Sequence, residues 1–357
     1  MANGKIKALP KTRITKFKKV ISSVSKGATI WILIARIDPD AIGAALGLWE
    51  IIQRLVEGKN VAVKITYCGD VGHRQNQTIV NLHDLNSVMF QLDSVKVGKK
   101  DRFFLVDSHL MKDSRILEKY SGARPLGIID HHICKPAIKE GAGQFIMVDS
   151  GATSCCTLIS ELARKISFQF SDRAKLLLSL GIHNDSHEMV DANARDYFAH
   201  SVVSEDVNSG DFFKLTKYDL PAYHFKYLCR ALTKLKPDHG RIIATVGFIK
   251  KDEGDTVASI ADALFPWEGA VLVVVWGVVE NEYVRISVRC KSSAIDLASL
   301  LKKHFPDKSG VKINPNGQSG GADVTLENNP WKGKGKEYLK GLAMMISGSI
   351  KESFSNE

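Results

Sequence analysis

Short apolar runs alternate with stretches in which apolar residues recur every three or four positions, and this alternation holds over the first two-thirds of the chain. "TIWILIARID" is apolar on both faces and rich in β-branched residues, the pattern of a strand buried from both sides. "AIGAALGLWEIIQRLVEG" continues with helical periodicity and stops at Gly58. "NVAVKITYCG" predicts a strand, "QTIVNLHDL" a short helix, and "DRFFLVDS" and "ARPLGIID" two further strands. A helix in "GATSCCTLISELARKI", begun near Thr153 or Ser154, precedes "DRAKLLLSLGIHNDS", a helix running into a loop. Strands and helices in turn predict βαβ units, and hence an α/β protein whose mainly parallel sheet is flanked by helices on both faces.

From 211 to 236 the pattern is helical without strands, as in a connector. A second block follows over 237–357: a strand in "GRIIATVGFI", a helix in "DTVASIADALF", two strands in "AVLVVVWGVVENEYVRISVRC" joined at Glu280 and Asn281, and a helix in "AIDLASLLKKHF". A glycine-rich loop, "NPNGQSGGAD", and a last helix complete it. The 357 residues exceed one ordinary core, so two α/β domains are expected, at 28–210 and 237–357, the second the smaller.

Charge adds one feature to this picture. The net charge is +10, and Lys5, Lys7, Lys11, Arg13, Lys16, Lys18, Lys19 and Lys26 crowd the segment 1–27 with no acid among them, which points to a polyanionic partner. A solvated amphipathic helix accounts for any one of them equally well. Six cysteines without CxxC spacing indicate reduced packing residues, neither a disulfide framework nor a zinc site. No apolar run is long enough to span a bilayer and no signal peptide is evident, so a cytoplasmic protein with no membrane partner is expected.

In an open parallel sheet the reactive crevice lies beyond the carboxyl ends of the strands, and the acids of this chain fall there. Asp38 and Asp40 follow the first strand, Asp107 ends "RFFLVD", Asp130, His131 and His132 end "PLGIID", and Asp185 lies after "LLLSLGI". Strand ends often carry polar turn caps, but four separate segments delivering acid and imidazole to one edge exceed that need. Gathered in a partly desolvated crevice, these carboxylates raise one another's pKa unless a divalent cation compensates them. Asp and His ligands without thiolate favour Mn²⁺ or Mg²⁺, with Fe²⁺ or Co²⁺ as substitutes. One or two such ions lower the pKa of a bound water and stabilise charge on a phosphoryl group, which makes phosphate-ester hydrolysis the natural reaction.

"DPDAIGAA", "FLVDS", "IIDHH" and "GIHNDS" resemble, in order and spacing, the four motifs of the DHH phosphoesterase superfamily. "VRISVRCKSSAIDLASLLKKHF" with "GQSGGAD" is similar to its DHHA1 partner domain. The resemblance implies that Asp40, Asp107, His131 and Asp185 hold one metal, that Asp107 bridges to a second, and that Asp38 ligates the second. It gives Asp130 the role of orienting acid, His132 that of substrate-side histidine, and Arg289 with Gly320 and Gly321 that of gripping substrate. "GDVGHRQNQTIV" resembles a loop of some relatives, so that His73, Arg74 and Asn76 join the substrate-binding candidates; Ser150, Thr153 and Ser154 stand between helix capping and phosphate contact.

Two positions depart from the pattern. Ile34 stands where many small members have a histidine, and Ala322 and Asp323 follow the glycines where a histidine is common. His109, His183 and His187 are candidates for compensation, though a place lining the crevice or at the surface is the plainer reading of each. The nanoRNase/pAp phosphatase branch is the most similar, which implies short RNA or DNA oligonucleotides or nucleotides as substrate. A RecJ-like single-strand exonuclease, a polyphosphatase and a catalytically weakened nucleotide sensor are the alternatives, and a homodimer is left open.

Overall fold

The computed structural model describes residues 10–355, apart from 110–113, 121–123, 135, 234, 236–238, 293, 306–310, 314–317 and 327–335. Lys5 and Lys7 of the basic segment, and "NPNG" of the expected glycine loop, lie outside the described residues. The chain forms two compact units, Met1–Asp219 and Leu220–Glu357.

The first unit is built on six strands: β1 (Thr29–Ile34), β2 (Ala62–Tyr67), β3 (Met89–Gln91), β4 (Arg102–Val106), β5 (Gly127–Asp130) and β6 (Phe145–Val148). Their order is β3-β2-β1-β4-β5-β6 and every pairing is parallel. Successive side chains of a strand point to opposite faces. Ile30, Ile32 and Ile34 accordingly join one apolar cluster with Ile42 and Phe104, while Trp31 and Leu33 join another with Phe103 and Leu105. Burial on both faces is why β1 reads as continuously apolar.

The unit's helices are α1 (Lys11–Ser22), α2 (Pro39–Leu55), α3 (Arg74–Leu82), α4 (Ser114–Lys119), α5 (Cys155–Lys165), α6 (Asp172–Asp185), α7 (Ala194–Val203) and α8 (Ser209–Thr216). Helix α1 lies in the basic segment. Its Phe17, Val20 and Ile21, at helical spacing, are buried, and Phe17 meets Phe145 edge-on at 5.0 Å between ring centroids. Burying a side chain of that size contributes roughly 1.5–3 kcal/mol, so the segment is docked and carries its lysines on the outer face.

In the second unit α9 (Ala222–Thr233) and α10 (Thr256–Leu264) pack on a five-stranded sheet, with α11 (Leu297–His304) and α12 (Lys336–Ser355) completing it. The sheet has β7 (Arg241–Ile249), β8 (Leu272–Val279), β9 (Tyr283–Cys290), β10 (Lys312–Ile313) and β11 (Ser319–Thr325) in the order β10-β11-β9-β8-β7. Only the β7–β8 pairing is parallel. Three residues, Glu280 to Glu282, join β8 to β9; Glu280 and Asn281 have positive φ, 49° and 59°, in a tight turn closed by the Glu282 N–H on the Val279 carbonyl at 2.8 Å.

Two details differ from the sequence reading. The helical stretch read as a connector is divided, α8 within the first unit and α9 within the second. "SGGAD" is strand, not loop: β11 pairs with β9, opposing Ser319 to Arg289 and Gly321 to Ser287. A Cβ on Gly321 would stand 2.4 Å from the Ile286 carbonyl oxygen, so glycine here permits close strand approach.

Candidate metal centre

Strand order reverses between β1 and β4, so the loops leaving their carboxyl ends diverge and open a crevice. The first motif enters it at the start of α2. Asp38 caps that helix, its Oδ1 accepting from the Ala41 N–H at 2.9 Å, with Pro39 at the first helical position. Asp40, in the first turn of α2, is fully buried and points at the start of α5. There it accepts hydrogen bonds from the Cys155 N–H (2.7 Å), the Cys156 N–H (2.9 Å) and the Ser154 hydroxyl. A helix N-terminus stabilises an anion by its free N–H groups and dipole, and this one holds Asp40 in place.

Asp107 follows β4 with φ of 54°, a left-handed conformation that an aspartate adopts at some cost. That backbone turn brings its Oδ1 to 3.2 Å from His131 Nε2. Asp185, at the end of α6, approaches the same nitrogen at 3.2 Å, and Asp40 Oδ2 lies 3.7 Å away. Helix α6 reaches the site because Gly181 has no side chain: a Cβ there would stand 2.4 Å from Cys156 Sγ and 3.0 Å from Asp40 Cα. Asp40, Asp107, His131 and Asp185, from four segments, therefore converge.

Asp130 ends β5, fully buried. It accepts from the His132 N–H at 3.2 Å and pairs with His132 Nδ1 at 2.7 Å and with His109 Nδ1. Burial opposes its ionisation, but the contacts with His132 and His109 outweigh it and pull its pKa down to about 2. An ionised carboxylate only accepts, so both imidazoles donate to Asp130 from Nδ1. His132 leaves 36% of its side chain exposed against 10% for His131, so it faces outward from the cluster.

The other acids are held against their preference. Burial and the charges of its neighbours raise Asp107 well above the usual carboxylate range, and burial with the nearby Asp40 raises Asp185. Asp38 is raised to about 7 by burial and by Asp185. Burial disfavours a charged His131, yet Asp107, Asp185 and Asp40 push its pKa up to about 12. Asp107 Oδ1 and His131 Nε2 are both buried without a hydrogen-bond partner. Such orphaned groups cost roughly 1–3 kcal/mol each, and a divalent cation answers the requirement, since carboxylate oxygens and an imidazole nitrogen are its ordinary donors. Two sets, Asp107–Asp130–His131–His132 and Asp40–His131–Asp185, each bring their donor atoms within 4.8 Å of one another. Asp38 belongs to neither set, though its charge is felt at Asp107.

Of the remaining candidates, Ile34 is fully buried in the apolar core. His73 is the N-cap residue of α3 and packs edge-on against Tyr218, and Arg74 donates to Gln77 on the same helix. Asn76 is buried with its amide on the Ile37 carbonyl at 2.6 Å, a brace for the loop before Asp38. Ser154 caps α5 while bonding Asp40, and the Thr153 N–H bonds Asp196. His183 packs against Phe212, and His187 pairs with Asp191 at 2.9 Å. In the second unit Arg289 is held by Asp262 beside Gly320 and Gly321 of β11. His109, a sequence candidate for replacing the missing motif histidine, instead pairs through Nδ1 with Asp130. Burial pushes the Cys155 and Cys156 thiols well up, consistent with inert packing groups.

A doubly wound α/β domain with an aspartate and histidine centre at its switch point is what these residues define. Residues 29–182 match the DHH family, N-terminal domain, so this part of the chain carries a DHH domain. An uncharacterized protein of Methanocaldococcus jannaschii is 23% identical over 270 residues, 75% of this chain and 53% of its own length, so the chain spans about half of that curated relative. The crystal structure of an exopolyphosphatase-related protein from Bacteroides fragilis matches with a TM-score of 0.66 at 13% identity, over 98% of this chain and 99% of its own. RecJ from Thermus thermophilus, in complex with Mn²⁺, gives 0.49 at 12% identity, over 97% of this chain and 56% of its own. For the Bacteroides fragilis protein, at 13% identity, the likeness is one of fold. Among the described residues no helix is long and apolar enough to cross a membrane.

Proposed function

We propose that this protein is a divalent-metal-dependent phosphoesterase that hydrolyses short oligonucleotides or nucleotide phosphates such as pAp or linear dinucleotides. The observation that carries this reading is the convergence of Asp40, Asp107 and Asp185 on His131 Nε2, with Asp107 Oδ1 and that nitrogen buried and unpartnered. These four residues would hold Mn²⁺ or a similar ion, and Asp38 with Asp107 is available to a second. When bound, such an ion neutralises phosphoryl charge and makes water a competent nucleophile at neutral pH.

The chain's own groups divide the remaining work. Asp130 fixes the rings of His132 and His109 through their Nδ1 atoms, which directs the Nε2 of each away from it. His132, the more exposed ring, is placed to contact a substrate phosphate or to move a proton at Nε2. Three donors at the start of α5 fix the Asp40 carboxylate and thereby the direction of the electron pair it has left. Arg289 is assigned to phosphate recognition, for which a planar guanidinium is suited; the substrate would displace Asp262 from it.

The test is turnover in Mn²⁺ of a panel: labelled RNA and DNA dinucleotides, pAp, cyclic dinucleotides, long single strands and polyphosphate. Preference for dinucleotides or pAp, abolished by Asp107→Ala, is expected. Preference for long strands or polyphosphate would replace the substrate assignment, nucleotide binding without turnover would make the protein a sensor, and turnover surviving Asp107→Ala would remove the site.

A further inference from the structure

We propose that the edge of the first sheet opposite the metal centre is a binding site for single-stranded nucleic acid, with cations for the phosphates and an apolar pocket for an unstacked base. In a parallel sheet all strand starts share one edge, and here those of β1, β2 and β4 are basic. Gly27 donates to the Asn60 carbonyl at 2.8 Å and Thr29 to Asp101 Oδ1 at 2.8 Å, which sets Lys59, Lys26 and Lys100 at the starts of the adjacent strands β2, β1 and β4. Lys99 and Arg102 flank Lys100 and are exposed. Of the acids at these strand starts, Asp101 is turned inward onto Thr29, Trp31 and Gly98.

Helices α2 and α5 begin at the metal centre and run back, so their last turns reach this same edge. Beside them is a cavity of ≈ 470 Å³ lined by Ile51, Leu55, Ile166 and Phe168 together with Lys18 of α1 and Arg54 of α2. Phe168 is half-buried, and among the described residues Lys18 has no carboxylate partner. Arg54 pairs with Glu57 in full solvent exposure, an arrangement worth little that a phosphate can replace. Aromatic and apolar surface beside lysines without acid partners among the described residues is the arrangement by which proteins hold single strands without reading sequence, the base stacking and the backbone neutralised. An acidic peptide would use the charges and leave the aromatic pocket unexplained. The metal-centre edge lies about 20 Å away along β1, so this site stands independently of the phosphoesterase reading.

Anisotropy of a fluorescein-labelled 20-nucleotide oligo(dT) with the full chain, in EDTA so that nothing is hydrolysed, tests it. Lys18→Glu/Lys26→Glu/Lys59→Glu/Lys100→Glu should weaken binding at least tenfold and reduce the salt slope by about 3, at roughly 0.7 per phosphate. Phe168→Leu, which keeps apolar bulk without a π face, should weaken it about fivefold or more with the melting temperature monitoring folding. Mn²⁺-dependent cleavage of whichever small substrate the panel identifies should stay within about twofold in both variants, which separates failure here from failure at the metal centre. Wild-type affinity in the fourfold variant, no effect of Phe168→Leu in a folded protein, or equal affinity for duplex or poly-glutamate would overturn the site.

Discussion

Asp101 and Asp107 stand one residue outside the two ends of β4, and their surroundings differ in kind. Asp101, at the amino edge, is fully supplied with donors: the Thr29 N–H at 2.8 Å, Trp31 Nε1 at 3.0 Å and the Gly98 N–H at 2.8 Å. Asp107, at the carboxyl edge, faces Asp38, Asp40 and Asp185 and leaves one oxygen buried without a hydrogen bond, 3.2 Å from His131 Nε2. The first carboxylate stabilises the fold as it stands. The second is held in a left-handed backbone conformation and waits on a partner that the chain does not supply. Electrostatic discomfort confined to one edge of an otherwise satisfied sheet is how a functional centre is distinguished from a structural acid.

The sharpest break in this comparison is to remove the two charges separately. Asp107→Asn, whose side chain tolerates positive φ, should lower metal-dependent turnover by about 1000-fold or more. Its melting temperature in EDTA should nonetheless equal or exceed that of wild type, since a buried acid that can ionise only beside Asp38, Asp40 and Asp185 has gone. Asp101→Ala should do the reverse, costing roughly 1–3 kcal/mol of stability by stranding its donors while Mn²⁺ affinity is unchanged. A matched loss of stability in both variants, read by chemical denaturation, would erase the distinction.

His109→Gln removes the second imidazole from Asp130 and leaves every proposed ligand in place. Groups that orient metal ligands typically account for 10–100-fold in affinity, so titration calorimetry should show Mn²⁺ binding weakened by about that factor, with stability in EDTA little altered. Unchanged affinity would make His109 a packing residue.

The smallest expected effect is on pH dependence without metal. Asp38, raised to about 7, and the raised Asp107 and Asp185 bind protons in the folded state that an unfolded aspartate has released. Their contribution is greatest near the unfolded value of about 4 and is lost as pH rises toward 7. His131, raised to about 12, acts in the same sense above its unfolded value of about 6.5. Asp130, lowered to about 2, loses its contribution only in strong acid. Melting temperature in EDTA should therefore gain a downward slope between pH 4 and 8, and excess Mn²⁺, which displaces those protons, should reverse it. Parallel curves with and without metal would contradict the assignment.

Much of this was legible in the chain itself. Asp40, Asp107 and Asp130 each follow an apolar run that marks a strand, and a parallel sheet puts strand ends on one edge, so these three could be grouped before any coordinates, with Asp185 joining them from the end of an apolar helix. The short strands β3 and β6, at the sheet's two edges, were not read, because three or four residues give too little periodicity to separate strand from loop. The division between α8 and α9 was equally hidden, since both are amphipathic and only the core each one faces separates them.

Alternation of apolar and polar positions determined the α/β class, the two domains and the placing of acids beyond strand ends, because periodicity and burial are local properties of a sequence. Tertiary structure alone decided that Asp40 is gripped by the start of α5, that Gly181 lets α6 bring Asp185 to His131, that His109 turns onto Asp130, and that lysines from α1 and three strand starts share one edge. These depend on distances between segments more than 20 residues apart in the chain, or on a side chain's choice among several neighbours, and no local pattern encodes either.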